Sequence, residues 1–370
     1  MNNTQKQSIL GCLVPVGSVY ENKKHKGLSH FLEHLISLSL KKKEIQEKLT
    51  RFNIYFDAHT YEYYTYYKFY CLKKFEKEAL KIMKDLILNP EFSQKDISIQ
   101  KSVILEEINN RKDLYYKIWD DIKKTVLKDE NVSDPIIGYP ENIKNFNLNI
   151  IRNWYKNFYN KAIFVKWENA KLIFLNDIQK ISIQPQPVSK INLENKKFIF
   201  KKQPAPAFAL ALILKDNFDF KERLALDIFY RIMCGAEASL LYQKLIMSGL
   251  AYNLYCFPAN YNGASLIVFG AYSSQPQKIS QKIQKIIQNF PKLFSKKLFA
   301  IFKESYLNSF LTQIANGNII DFVFYEFSTF GKYHSLNKTL DYLKSINQED
   351  INKIYHKIIK NSHWKFFYYN

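Results

Sequence analysis

The 370-residue chain is poor in the residues that interrupt regular structure, and it is poor in cysteine: it holds 10 Gly, 11 Pro and 4 Cys. The scarcity of Gly and Pro predicts long helices and strands. The cysteines lie far apart and none belongs to a Cys-x-x-Cys pair, so their spacing indicates neither a structural zinc site nor a disulfide framework. They are Cys12, Cys71, Cys234 and Cys256. We therefore expect reduced thiols in a cytoplasm-like compartment.

Long apolar runs are also missing from the sequence. No stretch reaches the about 18 apolar residues that a membrane-spanning helix requires. Residues 1–10 lack the charged start and apolar run of a secretory signal. These absences predict a cytoplasmic protein without a membrane span.

Acidic residues are outnumbered, with 34 Asp and Glu against 54 Lys and Arg, which gives a net charge of +20. Such a charge suits a nucleic acid, an anionic membrane surface or acidic substrates. The lysines are scattered, however, and runs such as Lys41-Lys42-Lys43 are short. Because no RNA-binding signature, zinc finger or basic leucine-zipper region is present, we interpret the charge as a basic solvated surface and predict no nucleic-acid partner. Nucleic-acid binding is the alternative that charge alone suggests, and a steep salt dependence of affinity would favour it.

Helical and strand patterns alternate along the chain, and they do so twice. The first half predicts a strand at 8–19, helices at 28–50 with a break near 41–43, a hairpin or meander at 51–72, helices at 75–88, 93–112, 115–127 and 147–160, and closing strands at 162–174. The second half predicts strands at 198–214, a helix at 220–234, strands at 250–272 and helices at 279–294 and 298–314. Residues 181–197, which include Gln184-Pro185-Gln186-Pro187, have little apolar periodicity and are predicted to be a linker.

This order predicts an α+β fold with two tandem domains, each a mainly antiparallel sheet with helices packed on it. The predicted domains are 1–180 and 198–370. The repeated element order suggests a duplication, although no residue-level repeat is visible.

The segment from Gly27 to Leu35 carries His30, Glu33 and His34 in the pattern His-x-x-Glu-His. On a helix, positions i, i+3 and i+4 share one face, so both imidazoles and the carboxylate point the same way. Two imidazole nitrogens suit Zn²⁺, and Glu33 is placed to take a proton from a water as general base. The alternative is a pair of surface histidines or one core histidine. Apolar neighbours on the same segment favour the metal site.

A third protein ligand is expected on the helix predicted at 93–112, where Ser93 is a good N-cap. With Ile97, Ile104 and Ile108 as its buried stripe, a step of about 100° per residue places Glu107 at the flank of that stripe. Glu106 points away from it. The alternative is that Glu106 and Glu107 form a solvated acidic pair. Combined with the two histidines, Glu107 is the preferred ligand.

Several segments together resemble the pitrilysin/insulinase family of inverted-motif zinc metallopeptidases, in its processing-peptidase-like branch. The resemblance runs over most of the chain. The segments are Glu21 to His34, 72 intervening residues and then Glu107 in 103–108, the region 52–67 with Asp57-Ala58, Ile136-Ile137-Gly138, and Gly249-Leu250-Ala251-Tyr252.

The resemblance implies a zinc endopeptidase that binds an extended substrate against an edge strand, with Asp57, Ala58 and Tyr252 as substrate-binding residues. It also implies that the two domains form half of a peptidase chamber. Gln100 stands where family members commonly carry a Glu, so it is a candidate to orient a metal ligand, with weaker effect. The family's usual Asn is Asp57. The Arg expected seven residues before Tyr252 is Leu245.

The leading expectation is therefore a Zn²⁺-dependent enzyme that cleaves peptides or targeting segments as the catalytic subunit of a dimer. Because Leu245 cannot replace an Arg, a second family subunit in a heterodimer is favoured, and a homodimer that uses Lys244 is the alternative. Tyr252 as an ordinary sheet residue is a further open alternative. The runner-up function is a non-catalytic subunit that binds peptides or scaffolds a complex.

Overall fold

The computed structural model describes residues 7–111, 114–176, 185–200, 205–215 and 218–370. The chain divides into two compact units. Unit 1 comprises Met1–Lys112, Glu130–Gln186 and Gln313–Tyr333, and unit 2 comprises Asp113–Asp129, Pro187–Thr312 and His334–Asn370. Within the described ranges, no helix is both long enough and apolar enough to cross a membrane.

In the part of the chain that the structure describes, ten strands form two five-stranded sheets, one in each unit. The strands of unit 1 are β1 (Gln7–Val14), β2 (Tyr55–Thr60), β3 (Thr65–Leu72), β4 (Ile163–Glu168) and β5 (Lys171–Phe174). The strands of unit 2 are β6 (Lys196–Phe200), β7 (Ala207–Leu214), β8 (Asn253–Tyr261), β9 (Ala264–Tyr272) and β10 (His363–Tyr369).

Helices surround both sheets. In chain order they are α1 (Leu28–Ser39), α2 (Lys43–Arg51), α3 (Glu76–Leu88), α4 (Gln94–Asn110), α5 (Leu114–Val126), α6 (Glu130–Ser133), α7 (Pro140–Asn145), α8 (Leu148–Phe158), α9 (Phe220–Cys234), α10 (Pro276–Gln288), α11 (Phe290–Leu293), α12 (Lys296–Asn316), α13 (Ile319–Phe330), α14 (Leu336–Ser345) and α15 (Gln348–Asn361).

The sheet of unit 1 has the order β2-β3-β1-β4-β5, and each neighbouring pair is antiparallel. Strand β1 lies at its centre and is buried from Ser8 to Val14, which explains the apolar run from Ile9 to Val14. Gly11 in this strand is needed because a Cβ there would lie 2.9 Å from Val165 and 3.2 Å from Phe324 of α13. Strand β2 lies at the edge of the sheet.

The sheet of unit 2 has the order β6-β10-β7-β9-β8. Strand β6 runs parallel to β10, and the other neighbours are antiparallel. Strand β7 is central and buried at every residue, whereas β8 is an edge strand. The α+β fold with two mainly antiparallel sheets, as predicted from the sequence, is confirmed.

Most predicted elements coincide with observed ones, including the break between α1 and α2, the hairpin β2–β3, and α9. Two short segments belong to the opposite unit from their sequence neighbours: 113–129 to unit 2 and 313–333 to unit 1. The contiguous domain limits at 180 and 198 stay a prediction. Part of the predicted linker, residues 181–184, lies outside the described residues, and β6 begins at Lys196 inside it.

The expectation of reduced thiols without a disulfide is wrong for one pair of cysteines. Cys234 and Cys256 form a disulfide, with their Cα atoms 6.6 Å apart, whereas Cys12 and Cys71 are free and buried. The spacing rules missed this pair because its 22-residue separation is closed by tertiary packing of α9 on β8, which local sequence does not reveal.

Candidate metal centre

Helix α1 begins at Leu28 because a distant side chain satisfies its first amide groups. The Glu21 carboxylate accepts hydrogen bonds from the Gly27 N–H at 2.8 Å and the Ser29 N–H at 2.6 Å. Glu21 is 1% exposed, and this burial raises its pKa to about 7 while the two amide hydrogen bonds act in the opposite direction. The carboxylate thus serves as the helix cap that Gly27 has no side chain to provide.

Two glycines set the place where α1 starts. Gly27 has φ 90°, which favours glycine, and a Cβ on it would lie 2.5 Å from the Ile137 carbonyl oxygen. Gly138 has φ 79°, and its Cβ would lie 2.7 Å from the Cα of Gly27. The two backbones therefore meet in van der Waals contact, which fixes the first turn of the helix against the loop at 137–138.

The two faces of α1 differ in composition. Its apolar face is fully buried in the core of unit 1, through Leu28, Phe31, Leu32, Leu35 and Ile36. The opposite flank presents the two histidines, whose ring centroids lie 4.5 Å apart. The helical spacing of the motif accordingly holds both imidazoles side by side.

Helix α4 brings the third candidate ligand to the same place. Ser93 and Asp96 form a capping box at its start, and Ile97 and Ile104 are buried. Glu107 lies 3.9 Å from Nε2 of His30 and 3.6 Å from Nε2 of His34, measured to its Oε1 and Oε2 respectively. One potential ligand atom from each residue falls within 4.8 Å of the others.

The neighbouring carboxylate does not join this group. Glu106 is exposed and accepts a hydrogen bond from the Asn110 amide at 3.2 Å along the same helix. The geometry therefore places Glu107, and not Glu106, beside the two imidazoles.

A hydrogen bond orients one histidine, and burial acts on the other. The buried Gln100 holds its Oε1 3.2 Å from Nδ1 of His34. Because an amide oxygen only accepts, this contact puts a proton on Nδ1 and leaves Nε2 facing Glu107. Burial, helped by His34, lowers the pKa of His30 to about 3. Nδ1 of His30 is buried and has no hydrogen-bond partner among the described residues.

Glu33 occupies a more enclosed position than the three residues beside it. It is 8% exposed, and its Oε2 accepts a hydrogen bond from the Thr60 hydroxyl at 2.9 Å. Burial raises the pKa of Glu33 to about 7, and the Thr60 hydrogen bond partly opposes this. A carboxyl group with this pKa takes up and releases a proton readily near neutral pH.

Asp57 and Ala58 lie on the edge strand β2, where Ala58 pairs with Tyr67 of β3. The Asp57 carboxylate accepts the Tyr66 hydroxyl at 2.9 Å and lies 3.3 Å from the Lys68 ammonium. Lys68 also donates to both oxygens of Asp321, at 3.0 Å each. The Asp57 side chain is therefore part of a polar cluster on the sheet surface, while the outer edge of β2 pairs with no strand in the described parts of unit 1.

Tyr252, Leu245 and Lys244 all belong to unit 2. Tyr252 is 67% exposed and precedes β8, and its ring lies 5.8 Å from that of Tyr272. Leu245 is completely buried in a short π-helix, Tyr242–Ile246, and Lys244 is exposed. The position of the expected Arg is thus filled by a core side chain.

Three residues around the centre have roles that sequence reasoning did not assign. Glu21 caps α1, Thr60 binds Glu33, and Asp321 binds Lys68. A hydroxyl on the strand next to the motif was a weak signal for Thr60. No local pattern pointed to Asp321, since it lies 253 residues from Lys68 in sequence.

Comparison with known proteins gives two family models that match successive parts of the chain. The model described as insulinase (peptidase family M16) matches residues 1–139, and the model described as peptidase M16 inactive domain matches residues 161–306.

Among relatives, an uncharacterized zinc protease, YmxG, of Bacillus subtilis is 24% identical over 95% of this chain and 90% of its own length. An uncharacterized zinc protease of Rickettsia felis is 24% identical over 94% of this chain and 90% of its own length. The mitochondrial-processing peptidase subunit beta of Bos taurus is 28% identical over 37% of this chain and 29% of its own length.

Among solved structures, a protease from Helicobacter pylori superposes with a TM-score of 0.81 at 16% identity, covering 98% of this chain and 94% of the other. A putative M16-like peptidase from Alicyclobacillus acidocaldarius gives 0.79 at 15% identity, covering 98% and 93%. These likenesses concern the fold. The two family models, which match successive parts of the chain, and the relatives show that the chain belongs to the pitrilysin/insulinase family, peptidase family M16, in its processing-peptidase-like branch.

Proposed function

We propose that this chain is a zinc metalloendopeptidase that hydrolyses peptides or targeting segments, with His30, His34 and Glu107 as metal ligands and Glu33 as general base. The observation that carries the proposal is the convergence of two imidazoles and one carboxylate beside a buried second carboxylate. The relatives named zinc proteases, which match nearly the whole chain, support it.

The donor set fits zinc in chemistry and in spacing. Zinc in catalytic sites takes nitrogen and oxygen ligands at about 2.0–2.2 Å and keeps one position open, so two tetrahedral ligands lie about 3.4 Å apart. The Nε2-to-carboxylate distances of 3.9 and 3.6 Å require shifts of only a few tenths of an ångström. Gln100 supports the site from behind His34, as outer hydrogen-bond partners of metal-bound histidines commonly do.

When bound there, zinc supplies Lewis acidity toward a carbonyl oxygen and lowers the pKa of a water. Glu33 receives the proton of that water and passes it to the leaving amine, because its burial keeps it close to the balance between charged and neutral forms. Thr60 holds the Glu33 carboxylate in one orientation through its hydroxyl, so the proton is transferred at a fixed oxygen.

The edge strand β2 is the surface on which an extended peptide would dock by adding a strand to the sheet of unit 1. We assign Asp57 and Ala58 to this contact. Ala58 offers its backbone without a bulky side chain. Tyr66 and Lys68 hold the Asp57 carboxylate in place, so it offers a fixed polar group beside the docked peptide.

We further propose that the chain works as the zinc-bearing subunit of a heterodimer in which the partner, a second family subunit, completes the chamber. Leu245 is buried and cannot donate the planar fork of hydrogen bonds that an Arg gives to a peptide carbonyl, while Tyr252 is exposed and available. A relative that is named as a subunit of a processing peptidase supports this reading. A homodimer in which Lys244 replaces the Arg is the alternative.

Metal analysis of the purified chain, together with peptide cleavage measured alone and after mixing with a family subunit that carries the Arg and Tyr, tests the proposal. We expect about one zinc per chain, lost in His34→Ala, with weak cleavage alone and strong cleavage after mixing. Stoichiometric zinc in His34→Ala would refute the site. A fully active homodimer would refute the heterodimer. Zinc binding without turnover in either sample would favour the non-catalytic, peptide-binding or scaffolding function.

A further inference from the structure

The Cys234–Cys256 disulfide closes a loop around the substrate-binding candidates of unit 2. Cys234 is the last residue of α9, and Cys256 lies in the edge strand β8. The two cysteines are 22 positions apart, and the loop between them contains the π-helix, with Lys244 and Leu245, and Tyr252. The covalent bond therefore joins both ends of the segment that places Tyr252.

Buried side chains and one strand hold the chain between the two cysteines: β8 pairs with β9 from Asn253 on, and the buried residues are Ser239, Leu240, Leu241, Leu245 and Ala251. Leu245 anchors it in the core, and its carbonyl accepts the N–H groups of Leu250 and Ala251 at 3.0 and 3.2 Å. The Tyr252 N–H reaches the Tyr272 carbonyl only at 3.3 Å, and Met247 and Tyr252 are each 67% exposed. Between these anchors the chain is exposed at 235–238, 243–244 and 247–249, and a covalent closure limits the opening of these stretches.

Both cysteines also border a surface cavity of about 480 Å³, whose wall includes Tyr230, Tyr242 and Tyr252. Cys234 and Cys256 are half-buried, in contrast to Cys12 and Cys71, which are buried. A small thiol that enters the cavity has a route to the disulfide, whereas the two free cysteines are shielded.

We propose that Cys234–Cys256 is a reversible redox site, reduced by a dithiol, whose oxidised form holds the Tyr252 segment in place. One thiolate of the dithiol attacks a cysteine sulfur and releases the other cysteine as a thiolate, which takes up a proton. The second thiol of the reagent then displaces the first cysteine. Two electrons pass to the protein, which gains two thiols, and the reagent leaves as a cyclic disulfide.

Reduction removes the covalent closure and leaves the segment held by its buried side chains and its backbone hydrogen bonds. Local opening around Lys244 and Tyr252 then becomes more frequent, while the metal centre, built from unit 1 residues, keeps its ligands. The consequence for peptides rests on the proposed function of Tyr252. The consequence for segment order does not.

The first experiment counts thiols and follows proteolysis of the native chain. Protein prepared without reductant should alkylate at two cysteines after denaturation, Cys12 and Cys71, and at four after treatment with dithiothreitol. Trypsin should cleave after Lys244 about tenfold faster in the reduced and alkylated protein. In the oxidised protein, the two fragments from this cleavage stay linked on a non-reducing gel, since the cut lies inside the disulfide loop.

The variant C234S/C256S should cleave as the reduced protein does, with or without dithiothreitol. Cys71→Ala is the matched control and should keep the redox response of the wild type. Four alkylated thiols before reduction, or equal cleavage rates at Lys244 in the two redox forms, would overturn the proposal.

Zinc content and peptide kinetics separate this inference from the proposed function. We expect reduction to raise KM for a peptide several-fold while zinc content stays the same. If the chain cleaves no peptide in either form, the proposed function fails, and the tryptic pattern still tests the redox site. If peptide kinetics are unchanged but cleavage at Lys244 accelerates, the disulfide orders the segment and Tyr252 does not bind substrate, which overturns the functional part of the inference.

Discussion

The two units contain sheets of similar construction that carry different chemistry. In unit 1 the strands run in the order β2-β3-β1-β4, and in unit 2 they run β8-β9-β7-β10. In each unit the central strand comes first among these four in the chain and is followed by a helix, α1 after β1 and α9 after β7. This correspondence supports the duplication suggested by the element order, and the fifth strands differ, since β5 is antiparallel and β6 parallel to its neighbour.

The difference lies on corresponding helices. In unit 1, α1 and α4 bring together His30, His34 and Glu107, whose lone pairs converge. In unit 2, α9 and α12 bring together Asp227 and Tyr306, whose hydroxyl donates to the Asp227 carboxylate at 2.8 Å. A donor meets an acceptor in unit 2, whereas three acceptors meet in unit 1. One type of scaffold therefore holds three candidate metal ligands in unit 1 and a donor–acceptor pair in unit 2, according to a few side chains.

Burial raises the pKa of a carboxyl group in each unit, Glu33 in unit 1 and Asp227 in unit 2. It raises the pKa of Asp227, which the Tyr306 hydrogen bond and the guanidinium of Arg231 oppose, and Arg231 lies 4.6 Å from the centre of the Tyr306 ring. These contacts balance the charge inside unit 2. In unit 1, by contrast, the side chain of Glu107 is 47% exposed, and a metal ion is the cation that we expect beside it.

The proposed difference between the two clusters depends on Glu107 being a metal ligand and not an ordinary surface acid. Glu107→Gln replaces a negative oxygen ligand with a weaker neutral one, so we expect it to lose stoichiometric zinc and, with it, all zinc-dependent turnover. Glu106→Gln on the same helix is the matched control and should keep both. Metal analysis of the two purified variants checks this, and loss of zinc only in the Glu106 variant would reverse the ligand assignment.

Within unit 1, we expect metal binding and proton transfer to depend on different residues, with Glu33 needed only for proton transfer. Glu33→Gln is nearly isosteric and keeps a hydrogen bond to Thr60 available, so zinc should stay bound. Turnover should fall by roughly 10²–10⁴-fold because the general base is gone. Peptide hydrolysis at the wild-type rate by the zinc-loaded variant would exclude Glu33 as the base.

Substitutions of Gln100 measure how much its hydrogen bond to His34 contributes to zinc affinity. Gln100→Ala removes the acceptor for the Nδ1 proton and should weaken zinc affinity by about 10–100-fold. Gln100→Glu restores an acceptor with a charge and should bind zinc at least as tightly as the wild type. Competition with a chelator of known affinity measures both, and equal affinities in all three proteins would remove Gln100 from the site.

The smallest effect is expected in unit 2. Tyr306→Phe deletes the hydroxyl that donates to Asp227, which should lower the free energy of unfolding by about 1 to 3 kcal/mol. Zinc content should not change, because the cluster contains its own donor. Denaturant unfolding and metal analysis of the variant check both statements, and a loss of zinc would contradict the division of roles between the units.

Local sequence patterns were enough to predict the elements that carry the candidate ligands. The His-x-x-Glu-His spacing on an apolar helix predicted α1, and Ser93 with the buried isoleucines predicted α4 and the phase of Glu107. Both inferences use the helical repeat, which places residues three or four positions apart on one face. The spacing of residues in the sequence is enough to recognise it. The role of each of these residues toward a metal stays a prediction.

The remaining features depend on contacts between residues that lie far apart in the chain. Only the tertiary structure placed Thr60 on Glu33, Asp321 on Lys68, and Cys234 next to Cys256. It also assigned residues 113–129 and 313–333 to opposite units from their sequence neighbours. Sequence by itself determined the class of fold, the helical faces and the candidate ligand set, because each follows from short-range periodicity. The satisfaction of buried polar groups and the pairing of thiols were decided by packing, because they depend on which distant surfaces meet.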